Sequence, residues 1–350
     1  MRGYGRRERH RVGARRLALA ATLALASLVV LPFGGAAHTC VPDAEVGVGG
    51  RLLLPRASGL ALMSLPDRDV RPVPILPARG VTTAVASTRD GGLLAVSRFW
   101  RPPHHQIGGQ DILIVGADGG EPIATLERGR PGEELGSPSW LPDGSLVYER
   151  RDVGRAAMMR VERRALGDTD GTILADGARS PAVSPDGARL AFVRSEQVDR
   201  LIVRDLAGGD ERVLVDEPSL VSLAFPRFSP DGTWIAFSAV ADPALGASPL
   251  EPLAFVGTST SPRRSATSAL GARTAHAHGL PWDIFAVRAD GSEWRRITYF
   301  YDDDPAVAWS PDGRWLVTFS GEALHVVAAD GAADYCLAGE GGYGALEWLP

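Results

Sequence analysis

The chain has 350 residues, with 37 Lys plus Arg against 42 Asp plus Glu and a formal net charge of −5. All of those cations are Arg, and Asn is missing too, so a phosphate-cradling loop built on Lys and an N-glycosylation sequon are both excluded. An acidic balance without a basic stripe also excludes nucleic acid as the expected partner.

Residues 1–16 carry seven Arg and one Glu, Leu17–Phe33 is an almost unbroken apolar run, and Gly34-Gly-Ala-Ala-His follows. A positive region, an apolar region and a small-residue cleavage zone in that order predict a secretory signal over residues 1–37. Removing it leaves 30 Arg against 41 Asp plus Glu, a net of −11. The alternative is an uncleaved anchor, because 17 apolar residues sit at the lower limit for spanning a bilayer. No later segment could span, so the mature chain is expected outside the cytoplasm: periplasmic, cell-surface or secreted. A short lead-in, residues 38–48, holds Cys40, and the second cysteine is Cys336. An oxidising compartment favours a Cys40–Cys336 disulfide. Lipid attachment at Cys40 is the alternative.

From Gly49 onward the chain reads as strands. Gly49–Pro55, Gly59–Leu65 and Val70–Leu76 are the first three. A turn then recurs as Thr88-Arg-Asp-Gly, Leu141-Pro-Asp-Gly and, in full, Ser184-Pro-Asp-Gly, Ser229-Pro-Asp-Gly and Ser310-Pro-Asp-Gly. Ser at the first position, Pro at the second and Gly at the fourth suit a type I turn, and apolar runs on both sides make each a hairpin. The turn aspartates are spaced 53, 43, 45 and 81 residues apart, so the last interval holds an insertion, 241–281. Each repeat has a second half, in which an apolar run ends in Asp-Gly or Gly-Gly and a short strand follows: Pro122–Leu126, Arg212–Val215, Arg295–Thr298 and Tyr335–Leu337. Four strands (a to d) per unit of this length are the content of a propeller blade. The terminal Gly344–Pro350 reads as a strand a that stops at the Pro of its turn, and Gly49–Pro55 as the strand b that should follow. The expected fold is therefore all-β: a six-bladed β-propeller over 49–350, closed by the C-terminal strand a pairing with the N-terminal strands b–d.

These turn-centred repeats resemble the TolB-like, WD-repeat-related propeller family, over about Gly49 to Pro350. The resemblance implies the propeller fold and a role in protein binding. Only about ten residues separate the cleavage zone from the first strand, so the TolB N-terminal α/β domain is not expected.

In such a blade the a–b and c–d turns share one face, and the b–c and d–a loops share the other. The turn aspartates are expected to bond local backbone. Trp140, Phe228, Trp309 and Trp348, just ahead of the turns, read as filling between blades. The second face carries the unusual sequence: Trp100–Gln110 with His104 and His105, the insertion ending in His276 and His278, and Tyr299–Pro305 with Asp302, Asp303 and Asp304. Loops on a rigid scaffold are where binding resides, so these seven residues are the candidate ligand- or partner-contacting set, with solvated loop residues as the alternative. The insertion is rich in Ser, Thr, Ala, Pro and Arg, a composition that reads as flexible.

No Gly-x-Ser-x-Gly elbow and no His-Glu-x-x-His helix is present. No catalytic residue, cofactor or metal site is therefore assigned. The function read from the sequence is a non-catalytic exported propeller that binds a protein or small ligand on the b–c/d–a loop face. The alternative is a secreted hydrolase or lyase acting on a carbohydrate or lactone at the channel mouth, since paired carboxylates can be recognised only in space.

Overall fold

Apolar runs broken by Asp-Gly turns fold into antiparallel strands, and the computed structural model describes them across residues 40–43, 46–57, 59–104, 106–153, 159–196, 198–241 and 282–350. The signal-peptide reading of residues 1–37 and most of the 241–281 insertion lie outside the described residues. The strands begin with β1 (Gly50–Arg56), β2 (Gly59–Leu65) and β3 (Val70–Val73), then β4 (Val81–Ser87), β5 (Leu93–Trp100), β6 (Gly109–Gly116) and β7 (Gly119–Leu126). There follow β8 (Glu133–Trp140), β9 (Leu146–Asp152), β10 (Met159–Arg164) and β11 (Thr172–Asp176), and β12 (Ala178–Val183), β13 (Arg189–Ser195), β14 (Asp199–Asp205) and β15 (Glu211–Val215). Next are β16 (Leu220–Phe228), β17 (Trp234–Ala241), β18 (Trp282–Arg288) and β19 (Trp294–Arg296). The last are β20 (Ala306–Trp309), β21 (Trp315–Phe319), β22 (Leu324–Ala328), β23 (Asp334–Ala338) and β24 (Glu347–Leu349). Among the described residues no helix is long and apolar enough to cross a membrane.

Neighbours in sequence pair antiparallel, giving four-stranded sheets β12–β15, β16–β19 and β20–β23. The two meanders β4–β7 and β8–β11 are joined by one parallel pairing, Gln110 with Glu134, into an eight-stranded sheet. The Gln110 side chain reinforces that seam: its Nε2 donates to Leu135 O at 2.9 Å, and its Oε1 accepts from the Thr83 hydroxyl at 2.8 Å. The remaining sheet has the order β24-β1-β2-β3, so the C-terminal strand lies against the N-terminal ones. Its register is Arg51 with Leu349, Leu52 with Trp348 and Leu53 with Glu347.

Three predicted strands are shorter than expected, and of these the C-terminal one, read over Gly344–Pro350, is Glu347–Leu349. The strand expected over Val70–Leu76 ends at Val73, where Pro74 supplies no N–H to continue the ladder. The strand expected over Arg295–Thr298 is Trp294–Arg296. Ile297 and Thr298 both turn their N–H groups onto Ile284 O, and the Thr298 hydroxyl accepts from Ile284 N, which ends the regular pairing.

The first strands of consecutive units touch in a circle: β4 meets β8, then β12, β16, β20 and β24 in turn, and β24 returns to β4. The side chains of each strand alternate between the neighbours on its two sides. Leu52 and Leu54 pack with Val317 and Phe319 of the preceding sheet, while Leu53 packs with Val85 and Val96 of the following one. Both faces are buried, which is why the strands read as nearly continuous apolar runs. The same pattern puts an apolar cluster between β4–β7 and β8–β11, between β8–β11 and β12–β15, and onward around the circle.

The turns hold themselves. In Ser184–Gly187 the serine hydroxyl donates to Asp186 Oδ1 at 2.5 Å and accepts from Arg189 N at 2.9 Å, while Asp186 Oδ1 also accepts from Ala188 N at 3.0 Å. Gly187 sits at φ 72°, a left-handed value that side chains resist. Ser229–Gly232 and Ser310–Gly313 repeat this network. Cys40 and Cys336 form a disulfide with Cα atoms 5.5 Å apart. Next to it, Asp43 accepts from Cys336 N at 2.7 Å, pinning the lead-in to β23.

Candidate functional site

The two faces differ in what their carboxylates have left to offer. On the turn face, Asp90, Asp143 and Asp186 are held below the usual carboxylate range, first by the hydroxyls of Thr88, Ser145 and Ser184 and then by adjacent backbone N–H groups. One oxygen of each is engaged by its own turn, and Asp143 also pairs with Arg163.

On the loop face the connection from β19 to β20 carries Asp302–Asp304 inward. Asp302 is 5% exposed and Asp303 8%, so neither is a solvated loop residue. The Asp302 carbonyl accepts from Trp282 N at 2.9 Å, which ties the connection to the start of β18. Beside it, Asp283 is buried, pairs with Arg296, and accepts from Tyr301 N at 3.1 Å. Arg296 in turn lies over the rings of Tyr299 and Tyr301, at 4.2 and 5.1 Å. The Asp302 carboxyl is raised to about 7, first by burial and then by the charges of Glu322 and Asp283, with the Ser320 hydroxyl opposing. Burial and the charge of Asp303 raise Asp304 as well, against the pull of Arg179.

Two further residues complete this rim. Tyr343, in the β23–β24 connection, donates its hydroxyl to Asp303 Oδ2 at 2.9 Å, and it passes so close to Gly321 that a Cβ there would overlap its ring. Arg179, at the head of β12, is paired with Asp199 at 2.5 Å, and Asp199 also accepts from Leu223 N at 3.0 Å. Asp304 and Asp199 therefore share the influence of one guanidinium.

The other sequence candidates lie apart from this cluster. His104 is exposed between β5 and β6, at φ 69°, and makes no hydrogen bond or ion pair with the aspartates. His105, His276 and His278 lie outside the described residues. Among the described residues no group of three or more His, Cys, Asp and Glu is placed to hold a metal ion.

Sequence reasoning missed a charged pair on the first strands of the circle, Arg227 of β16 and Glu347 of β24. Four residues ahead of the turn Asp stand Ala86, Ser139, Ala182, Arg227 and Ala308, and Glu347-Trp-Leu-Pro at the C-terminus matches Ser139-Trp-Leu-Pro. Small residues fill this position except for Arg227 and Glu347. They form no direct ion pair, and each keeps part of its surface open while protein surrounds it. Burial raises the Glu347 carboxyl to about 7, with Arg227 pulling the other way. Aligning the repeats on their turns would have exposed the pair, because two charges in a column of Ala and Ser are conspicuous. The aromatic residues one place further on tie units together: Trp140 Nε1 donates to Ala86 O at 3.2 Å and Trp309 Nε1 to Arg227 O at 2.9 Å.

Strand order, closure and turn chemistry define a TolB-like β-propeller. The chain is similar to TolB from Acinetobacter baumannii, with 16% identity and a TM-score of 0.58 over 86% of this chain and 67% of that one. It is similar to a chain of the nidogen/laminin complex, with 13% identity and a TM-score of 0.59 over 86% of this chain and 99% of that one. It is also similar to the tricorn protease, at 16% identity and a TM-score of 0.53 over 84% of this chain and 26% of that one. Identities this low speak to fold alone, since one propeller scaffold hosts unrelated activities. No family model matches the sequence, and no curated protein does.

Proposed function

We propose that this chain is an exported six-bladed propeller that binds another protein, without catalysis, through the loop-face rim around Asp302–Asp304. One observation carries the reading: carboxylates crowd one another at this rim, whereas each of those on the opposite face is engaged singly by its own turn. Like charges held together are relieved by an incoming cation, so the partner contributes a basic segment. Asp304 is the half-buried, most accessible of the three aspartates, and exposed Tyr343 stands beside it. The nidogen/laminin structure, a propeller-like chain in complex with another protein, supports the use of such a scaffold for protein binding. Export is supported by the disulfide and by the signal pattern over residues 1–37.

The test pairs two double variants in a pull-down from the envelope fraction. Asp303→Asn with Asp304→Asn should abolish capture, and Asp231→Asn with Asp312→Asn on the turn face should leave it unchanged. Equal capture by both would defeat the reading.

A further inference from the structure

A groove of about 800 Å³ runs between the β1–β3 sheet and β5. Its walls include Leu60, Met63, Val73 and Ile75, and three arginines line it: Arg56, and close to each other Arg79 and Arg98. Arg98 is 5% exposed; its Nη1 donates to Ile75 O at 3.1 Å and Pro77 O at 3.0 Å, while its Nε has no hydrogen-bond partner. Arg79 also converges on Pro77, through its own N–H to Pro77 O at 2.7 Å, and its guanidinium lies 4.1 Å from the centroid of the Trp100 ring. Among the described residues neither Arg79 nor Arg98 has a carboxylate within ion-pair distance. The one acid on the groove wall, Glu340, acts on Arg56 at another part of the lining. Buried charges are ordinarily paired, and a guanidinium cannot shed its proton to escape the cost. The buried Arg98, with the exposed Arg79 beside it and an apolar wall alongside, in a chain of net negative charge, makes a site shaped for an anion with an apolar body. The volume is that of a small-molecule pocket, and a carboxylate matches the planar fork of Arg.

We propose that this groove binds a small organic carboxylate with a hydrocarbon body, its carboxylate held by Arg98 and Arg79 and its chain laid against Leu60, Met63, Val73 and Ile75. The proposal is independent of the aspartate rim.

Isothermal titration of the mature protein with octanoate tests it, with acetate, octanol and octyl phosphate as comparisons. Octanoate should bind at least tenfold more tightly than acetate, which lacks the tail, and than octanol, which lacks the charge. Arg98→Met should weaken octanoate at least tenfold, with its melting curve checking that it folds, and Arg79→Gln should weaken it several-fold. Absence of octanoate binding, affinity unchanged in both variants, or binding of octyl phosphate alone would overturn it.

Discussion

Leu52 of β1 and Trp348 of β24 are partners in one antiparallel ladder, and Trp348 is 4% exposed within a cluster that reaches Val317 and Phe319. The circle is thus closed by a strand of three residues. Trp348→Ala should cost about 3–5 kcal/mol, the range for emptying a large aromatic site. The midpoint of urea unfolding, with the slope unchanged, measures it.

The disulfide fastens the lead-in to the last complete meander, across a sequence separation of 296. Closing so long a loop stabilises by about 5 kcal/mol at most in the chain-entropy account. Cys336→Ser should melt well below the oxidised protein and together with the reduced one. Free-thiol titration under denaturing conditions should find no thiol before reduction.

Ser229 is 3% exposed and serves two bonds at once, donating to Asp231 and accepting from Trp234 N. Ser229→Ala leaves both unmade, at a cost of about 1–3 kcal/mol. The fall should appear in chemical denaturation without any change in the circular dichroism of the folded state.

Asp302 and Glu347 both titrate near 7 in the fold, against ordinary values of 3.8 and 4.5. Between those values and about 7 the folded state holds more protons than the unfolded chain, so stability falls as pH rises through that window and stays low above it. Asp302→Asn should therefore be more stable than the parent at pH 8, on the order of 2–4 kcal/mol, with the gap closing towards pH 4. Thermal melts at the two pH values check the sign. Partner capture should weaken as pH falls from 8 to 6, because protonation of the buried Asp302 lowers the negative charge of the rim behind the residues the partner meets.

The repeat was legible because its signal is local: Ser-Pro-Asp-Gly sets a turn by itself, and apolar runs on both sides need only short-range pairing. The match between Gly344–Pro350 and Gly49–Pro55 was legible for the same reason, since each is half of a recurring unit. The rim was legible only in part. Asp302–Asp304 stand out as a run, but their burial and their crowding with Asp283 and Glu322 come from strand β18 and two separate connections folding together. Tyr343 and Arg179 are ordinary residues in sequence and gain meaning from a hydroxyl 2.9 Å from Asp303 and a guanidinium 2.5 Å from Asp199. Strand ends at Val73 and Arg296 were misplaced because they depend on which N–H groups find a partner.

The central claim, that the loop face meets a basic partner, has a direct chemical test because this chain has no Lys. Carbodiimide coupling joins carboxylates to amines, so apart from its own N-terminus every amide formed from an acidic side chain of this protein leads to another molecule. Cross-linked peptides mapped by mass spectrometry from the envelope fraction should centre on Asp303, Asp304 and Glu322, and should fade at high salt as screened ion pairs do. Cross-links confined to turn-face acids such as Asp90, Asp231 and Asp330 would contradict the account.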